Sequence, residues 1–236
     1  MNDVTIHEDA HGCAHCPARG RCLASDAGLA GCRRRLAQGE ALFRRDQPFA
    51  FLYAVRTGHL KVARADDRGQ QQVTAFPVAG DLLGLEAIGA GRHACSAVAL
   101  TFSEVCEIPY AGLQAALLRT PSLMQRFHAA MSMEIAREGA LLLQARLPAG
   151  VRLASLLLAL SARQAQDGLP AGHLHLPMSR ADIGNHLGLT IESVSRQLAR
   201  LRKAGWIAVD GRDIALLRRD RLEALLRTPG EHHSPA

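Results

Sequence analysis

Near the start of the chain the stretch "HGCAHCPARGRC" sets Cys13, Cys16 and Cys22 close together. Their neighbours are Gly, His, Pro and Arg, not the Val, Ile and Leu that surround a core cysteine. Thiols in such a segment are expected to be exposed, and so reactive, paired or coordinated. Cys-x2-Cys is a metal-ligand spacing, and His7, His11 and His15 lie alongside it. The bulk of the chain has to decide among these chemistries.

With 236 residues, 48% of them hydrophobic, the chain can bury a sizeable core in one or two domains. Its longest apolar run, around "LASLLLAL", falls short of the ~20 residues a membrane span needs. The opening "MNDVTIHEDAH" has neither a basic start nor an apolar core, so no secretory signal is expected. Together these predict a cytoplasmic protein with no membrane partner, whose thiols stay reduced. Six cysteines in that compartment favour metal or redox chemistry over a disulfide framework. The net charge of +6, carried overwhelmingly by arginine, suits an anionic partner such as nucleic acid.

The elements that must position these groups change character along the chain. Short apolar runs such as "FLYAV" and "HLKVA" are separated by turn signals at Asp46-Gln47-Pro48, Thr57-Gly58, Asp67-Arg68-Gly69 and Ala79-Gly80-Asp81. This pattern predicts an antiparallel barrel or sandwich that continues through "CSAVALTFSEVCEIP". From about Pro121, Met124, His128, Met131, Ile135, Glu138 and Leu142 advance by alternating steps of 4 and 3. A helix with that seam is suited to pairing with a copy of itself, and Phe127 is grouped with it.

The last third reads "LPMSRADIGNHLGLTIESVSRQLARLRKAGWIAVDGRDIALL". Ser179 with Asp182 marks a helix start, Gly188 a turn, and Thr190 the cap of a second helix. Ile191, Val194, Leu198 and Leu201 form the apolar side of that second helix. Helix, tight turn, helix, then two short strands about Asp210-Gly211, predicts a winged helix-turn-helix. On the opposite side of the second helix, Glu192, Ser195 and Arg196 share one face. Arginine reads guanine O6 and N7 as a bidentate donor, and a carboxylate accepts from cytosine N4. An acidic side chain facing DNA makes sense when it reads a base, because phosphates repel it. Arg200, Arg202 and Lys203 are placed to meet phosphates, which position without specifying.

"GLTIESVSRQLARL", "AGDLLGLEAIG" and "VCEIPY" resemble the corresponding segments of the CRP/FNR superfamily. The spacing Cys13-x2-Cys16-x5-Cys22 places the chain with the oxygen-sensing FNR branch. The resemblance implies an α+β fold: an N-terminal antiparallel β-roll like a cyclic-nucleotide-binding domain, a long dimerisation helix and a C-terminal winged helix-turn-helix. The expected domains are a cysteine segment over 1–32, a sensory β-roll over 33–118, the dimerisation helix over 119–148 and the DNA-binding domain over 149–236. The resemblance implies a [4Fe–4S] cluster held by Cys13, Cys16, Cys22 and Cys106, the last from "SEVCEIPY". It also implies a homodimer that reads double-stranded DNA at TTGA-type inverted repeats through Glu192, Ser195 and Arg196, with Thr190 and Arg200 beside them.

Four thiolates suit a four-iron cube, three from one segment and one from a rigid wall. Zinc is the rival on spacing, and a haem or thiol-based sensor is a further alternative. The segment after Cys22 is about a helix shorter than in familiar FNR proteins, and it carries an additional Cys32; Cys95 is also unmatched. Where cyclic-AMP receptors carry a Glu and an Arg, this chain has Leu85 and Cys95, so neither the ribose nor the phosphate contact is present. No Ser/His/Asp or Cys/His arrangement and no glycine-rich phosphate loop appears, so an enzyme is not expected. Loops near Asp81 to Gly91 and Thr101 to Glu104 resemble the family's polymerase-contacting loops, making RNA polymerase an expected partner of an activator. In the helix seam Glu138 would meet its own copy across a two-fold axis, unless it turned outward to Arg137 or Arg146.

Overall fold

The computed structural model describes residues 16, 22, 23, 32–66, 68–166, 170 and 172–227. Cys13, His7, His11, His15 and Asp67 lie outside the described residues. The fold is α+β, with two compact units that divide between Glu138 and Gly139.

Among the described residues, the first unit is built on eight strands in two antiparallel four-stranded sheets. Strands β1 (Arg33–Leu36), β8 (Ser103–Pro109), β3 (Phe51–Thr57) and β6 (Leu82–Leu83) form one sheet, in that order. The other runs β2 (Ala41–Phe43), β7 (Ser96–Ala99), β4 (Leu60–Ala65), β5 (Gln71–Ala75). Between the sheets lies an inner core containing Leu36, Leu42, Phe43, Val55, Leu60, Ala97 and Val105. The turn at Gly58 brings β3 and β4 against the β7–β8 loop. Its φ of +87°, and the overlap that a Cβ would make with Ser103 Oγ, admit only glycine there.

Strands β3 and β8 bury side chains on their second face as well; β3 reads as the apolar run FLYAV, whereas β8 keeps Glu104 and Glu107 among its buried Val105, Cys106 and Ile108. Leu52, Ala54, Cys106 and Ile108 point outward into a second core with helix α1 (Tyr110–Arg119) and helix α2 (Pro121–Gln144). Thr120 adopts the extended backbone that Pro121 imposes on its predecessor, and this separates the two helices. Proline at the first helical position then starts α2, whose 24 residues extend about 36 Å. Leu123 and Phe127 of α2 are buried in the outer core. Phe127 therefore packs within its own protomer and does not belong to the exposed seam expected from the sequence.

The second unit contains α3 (Ala149–Gln166), β9 (His173–His175), α4 (Arg180–Leu187), α5 (Ile191–Lys203), β10 (Ile207–Asp210), β11 (Asp213–Leu216) and α6 (Arg219–Arg227). The hairpin expected about Gly211 is present, and β9 adds a third strand, giving the order β10-β11-β9. "HLH" is too short to declare itself a strand before its partner is known. Leu153, Leu157, Ile183, Leu187, Val194, Leu198, Leu201 and Ile214 are among the unit's buried side chains. Ile191 is 49% exposed, so the buried stripe of α5 begins one turn later than expected. Among the described residues no helix is long and apolar enough to cross a membrane.

Candidate functional site

Two sites emerge, one in each unit. In the second unit, Ser179 caps α4 by accepting from the Asp182 amide at 3.0 Å, while the Asp182 carboxylate accepts in return from the Ser179 amide. Gly188 ends α4 with φ +63°, and Gly184 lets the turn close: a Cβ there would stand 2.7 Å from the Leu189 carbonyl oxygen. Thr190 Oγ1 then accepts from the Ser193 amide at 3.2 Å and starts α5.

On α5 the buried Val194, Leu198 and Leu201 turn Glu192, Ser195, Arg196 and Arg200 toward solvent. Glu192 is held below the usual carboxylate range by hydrogen bonds from its own amide and from the Thr190 side chain. It is thus an ionised acceptor on a free face. Arg196 donates to Ser193 Oγ at 3.1 Å, which makes Ser193 its resting partner.

Three further arginines brace this helix-turn-helix, and local sequence spacing does not reveal them. Arg152 of α3 donates through Nη1 to the carbonyls of Leu187 and Gly188, the orphan acceptors at the C-terminus of α4. Its Nε is buried with no hydrogen-bond partner among the described residues. Arg180 Nη2 donates to Gly211 O at 3.0 Å, and Arg212 Nη1 to Pro177 O at 3.0 Å, so the wing turn is latched to α4 from both sides. A lone arginine in the apolar "GVRLASLLLAL" is the available signal for Arg152.

The first unit gathers cysteines. Cys22 and Cys106 are buried in the outer core, and Cys16 packs against the same cluster, beside Met124 and Met131 of α2. Cys22, expected to be exposed, is only 6% exposed, as a member of the outer core to which β3, β8, α1 and α2 also contribute. The other two described cysteines lie elsewhere. Cys32 precedes β1, where its carbonyl accepts from the Glu107 amide at 2.9 Å. Cys95 is in the inner core, its thiol 3.3 Å from Glu86 Oε1 and pushed well above the ordinary thiol range, by burial first and then by that carboxylate. Among the described residues no three cysteine, histidine or carboxylate side chains converge as a ready-made metal site.

Beyond the buried Leu123 and Phe127, α2 exposes a second apolar side: Ile135 is 70% and Leu142 76% exposed. Met124 and Met131 are half-buried, and His128 and Glu138 are exposed. Glu138 meets neither Arg137 nor Arg146 but Arg64 of β4, whose Nη2 donates to Oε1 at 2.9 Å. Phe43 stacks on His93 at 3.8 Å, and His93 Nδ1 lies 3.0 Å from Glu86 Oε1.

Two family models match the chain: a cyclic nucleotide-binding domain over residues 33–120 and a Crp-like helix-turn-helix domain over residues 151–225. The chain is 40% identical over 194 residues to the fumarate and nitrate reduction regulatory proteins of Salmonella typhimurium and Escherichia coli K12, covering 82% of this chain and 78% of theirs. Among solved structures it is similar to FixK2 from Bradyrhizobium japonicum, at 30% identity and TM-score 0.76, with 88% of this chain and 100% of that one covered. A CRP/FNR-family transcriptional regulator from Thermus thermophilus shares the fold at 19% identity and TM-score 0.66, over 84% of this chain and 100% of that one. With a β-roll followed by a capped, latched helix-turn-helix and these relatives, the chain belongs to the CRP/FNR family of DNA-binding transcriptional regulators, which are not enzymes.

Proposed function

We propose that the chain is an oxygen-responsive regulator of the FNR type, in which Cys13, Cys16, Cys22 and Cys106 hold a [4Fe–4S] cluster. The observation that carries this reading is the sorting of thiols: Cys16, Cys22 and Cys106 share one outer face with Met124 and Met131 of α2, while Cys95 is sealed inside the roll. That donor set fits the group, since four-iron clusters are held by thiolates. When bound, the cluster supplies an oxygen-labile group between the N-terminal segment and β8.

The chain's own residues do the rest. Cys106 ties the N-terminal segment to β8, and the apolar face around it continues onto α2. Met131, Ile135 and Leu142 of α2 pair with the same residues of a second copy, placing two α5 helices on successive half-sites of an inverted repeat. Without that tie, Glu138 repels its own copy and keeps protomers apart. On each half-site Arg196 reads guanine, Glu192 accepts from cytosine, Ser195 and Thr190 complete the face, and Arg200 meets phosphate. The loop carrying Phe102, 61% exposed, offers RNA polymerase a contact.

Anaerobic purification followed by absorbance and a DNA-shift assay, before and after air, tests this reading. Brown protein that shifts a TTGA inverted repeat and loses both properties in air is the expected result. Colourless protein that binds equally in both conditions overturns it, as does zinc or haem at stoichiometric content. Cys106→Ser and Cys22→Ser must abolish the colour while Cys32→Ser and Cys95→Ser retain it; a brown Cys106→Ser protein removes the four-ligand assignment.

A further inference from the structure

The position of Glu138 on α2 gives it two possible partners. At about 100° per residue, the separation of eleven positions between Phe127 and Glu138 brings them within about 20° of one another around the helix axis. Phe127 is buried in the outer core, against the outer face of the β-roll. The exposed side, with Ile135 and Leu142, lies roughly 40–60° away on the same cylinder. Glu138 thus stands at the border between the face that packs on its own unit and the face that meets a second copy. A carboxylate there can extend to either side.

In this structure it extends to the roll, where Arg64 Nη2 donates to it at 2.9 Å. The adjacent residue is tied to the roll as well. Arg137 lies 3.6 Å from Asp81 of the roll and 3.4 Å from Glu134. Three carboxylates, Asp81, Glu134 and Glu138, thus share two guanidinium groups, Arg64 and Arg137. Removing Arg64 deepens the net negative charge that this border already carries and frees the Glu138 side chain to turn toward the seam.

We infer that Arg64 is the counter-charge that sets the monomer–dimer balance, by holding Glu138 back from the seam and neutralising it. This inference rests on the reading that the Ile135–Leu142 face of α2 pairs with a second copy. Glu138 alone does not determine the repulsion; the pair does. Because Arg64 sits on β4, a change in how β4 approaches α2 alters dimerisation without any change in the seam itself.

Sedimentation of the full chain, purified anaerobically, measures this through the dimer dissociation constant of Arg64→Gln, Arg64→Lys, Glu138→Gln and the double variant Arg64→Gln/Glu138→Gln. Two such pairs act in each dimer, so Arg64→Gln is expected to weaken it about tenfold. Arg64→Lys, which keeps the charge, restores most of that loss. On the Glu138→Gln background Arg64→Gln has no further effect, because the charge it restrains is gone. Equal weakening on both backgrounds, or none on either, overturns the inference. Ile135→Asp serves as the separate control: if it leaves dimerisation unchanged, the seam reading has failed rather than the role of Arg64.

Discussion

Helices α2 and α5, to which the proposed function assigns dimerisation and DNA reading, solve the placement of apolar residues differently. Helix α5 has one apolar stripe, Val194, Leu198 and Leu201, and its own unit buries all of it. What remains is a polar face, held by a cap at one end and Arg152 beneath the preceding turn. Helix α2 has two apolar sides: Leu123 and Phe127 are buried, whereas Ile135 and Leu142 stay open to solvent. The reading helix is complete within one protomer and lacks only its DNA. On the proposed reading the long helix is completed by a second copy, so its contribution depends on concentration and on whatever biases association. Regulation is therefore more readily exerted on α2 than on α5.

The largest expected effect breaks this contrast on the α2 side. Leu142→Asp places an unpaired charge where two copies meet, which costs about 3–5 kcal/mol in such a setting. Sedimentation should find monomer, and binding to an inverted repeat should collapse. Thermal unfolding should hardly change, because Leu142 is 76% exposed in the protomer. Substantial unfolding of Leu142→Asp would mean that this side chain serves the protomer's own core. On α5 the corresponding test is Arg196→Ala, which should leave dimers intact and cost about 1–3 kcal/mol with relaxed discrimination at one guanine. Glu192→Ala should relax discrimination at the paired cytosine. Affinity lost equally on all sequences would show that neither side chain touches a base.

The same contrast explains what the sequence discloses. Thr190, Gly188, Ser179 and Asp182 act through partners three or four residues away, so spacing alone places them. The alternation of strands and turns announces the β-roll, while the stepping of 124, 128, 131, 135, 138 and 142 runs from side chains half-buried against the core, Met124 and Met131, to the exposed Ile135 and Leu142. Contacts between distant segments are not legible. The Arg64–Glu138 pair is separated by 74 residues and Arg180–Gly211 by 31, and no local pattern encodes either. Phe127 falls in with the seam on spacing because a periodicity of 3 and 4 does not say which of two adjacent apolar sides a neighbouring sheet will cover. The polar composition around Cys22 points it to solvent, whereas its burial comes from β8, α1 and α2.

Arg152 offers a sharper probe of how self-contained α5 is. Its guanidinium satisfies two carbonyls at the end of α4, so Arg152→Met removes a charged donor and leaves acceptors with no replacement. A loss of about 1–2 kcal/mol is expected in chemical denaturation, offset in part because the unpartnered Nε is also removed. DNA affinity should fall by more than that loss of stability explains, since the angle between α4 and α5 is no longer pinned. Full-strength DNA binding by Arg152→Met at a temperature where it remains folded would show that Gly184 and Gly188 alone fix the turn.

The smallest effect concerns Glu138→Ala. On the long helix this substitution removes a repulsive charge from the edge of the open side, so cluster-free protein in air is expected to dimerise and to shift DNA better than the parent. The gain is limited for a structural reason. Glu138 already accepts from Arg64, and both side chains are about half exposed, so solvent and the arginine screen much of its charge. The expected change is therefore about 1 kcal/mol or less, a shift in dissociation constant rather than a switch from monomer to dimer. High salt should narrow the difference between Glu138→Ala and the parent, as screening weakens repulsion between half-exposed carboxylates. Sedimentation in air across a salt series decides it: parent and variant that stay equally monomeric at every salt concentration would rule out repulsion by Glu138. In that case the open side of α2 is held apart by something other than charge.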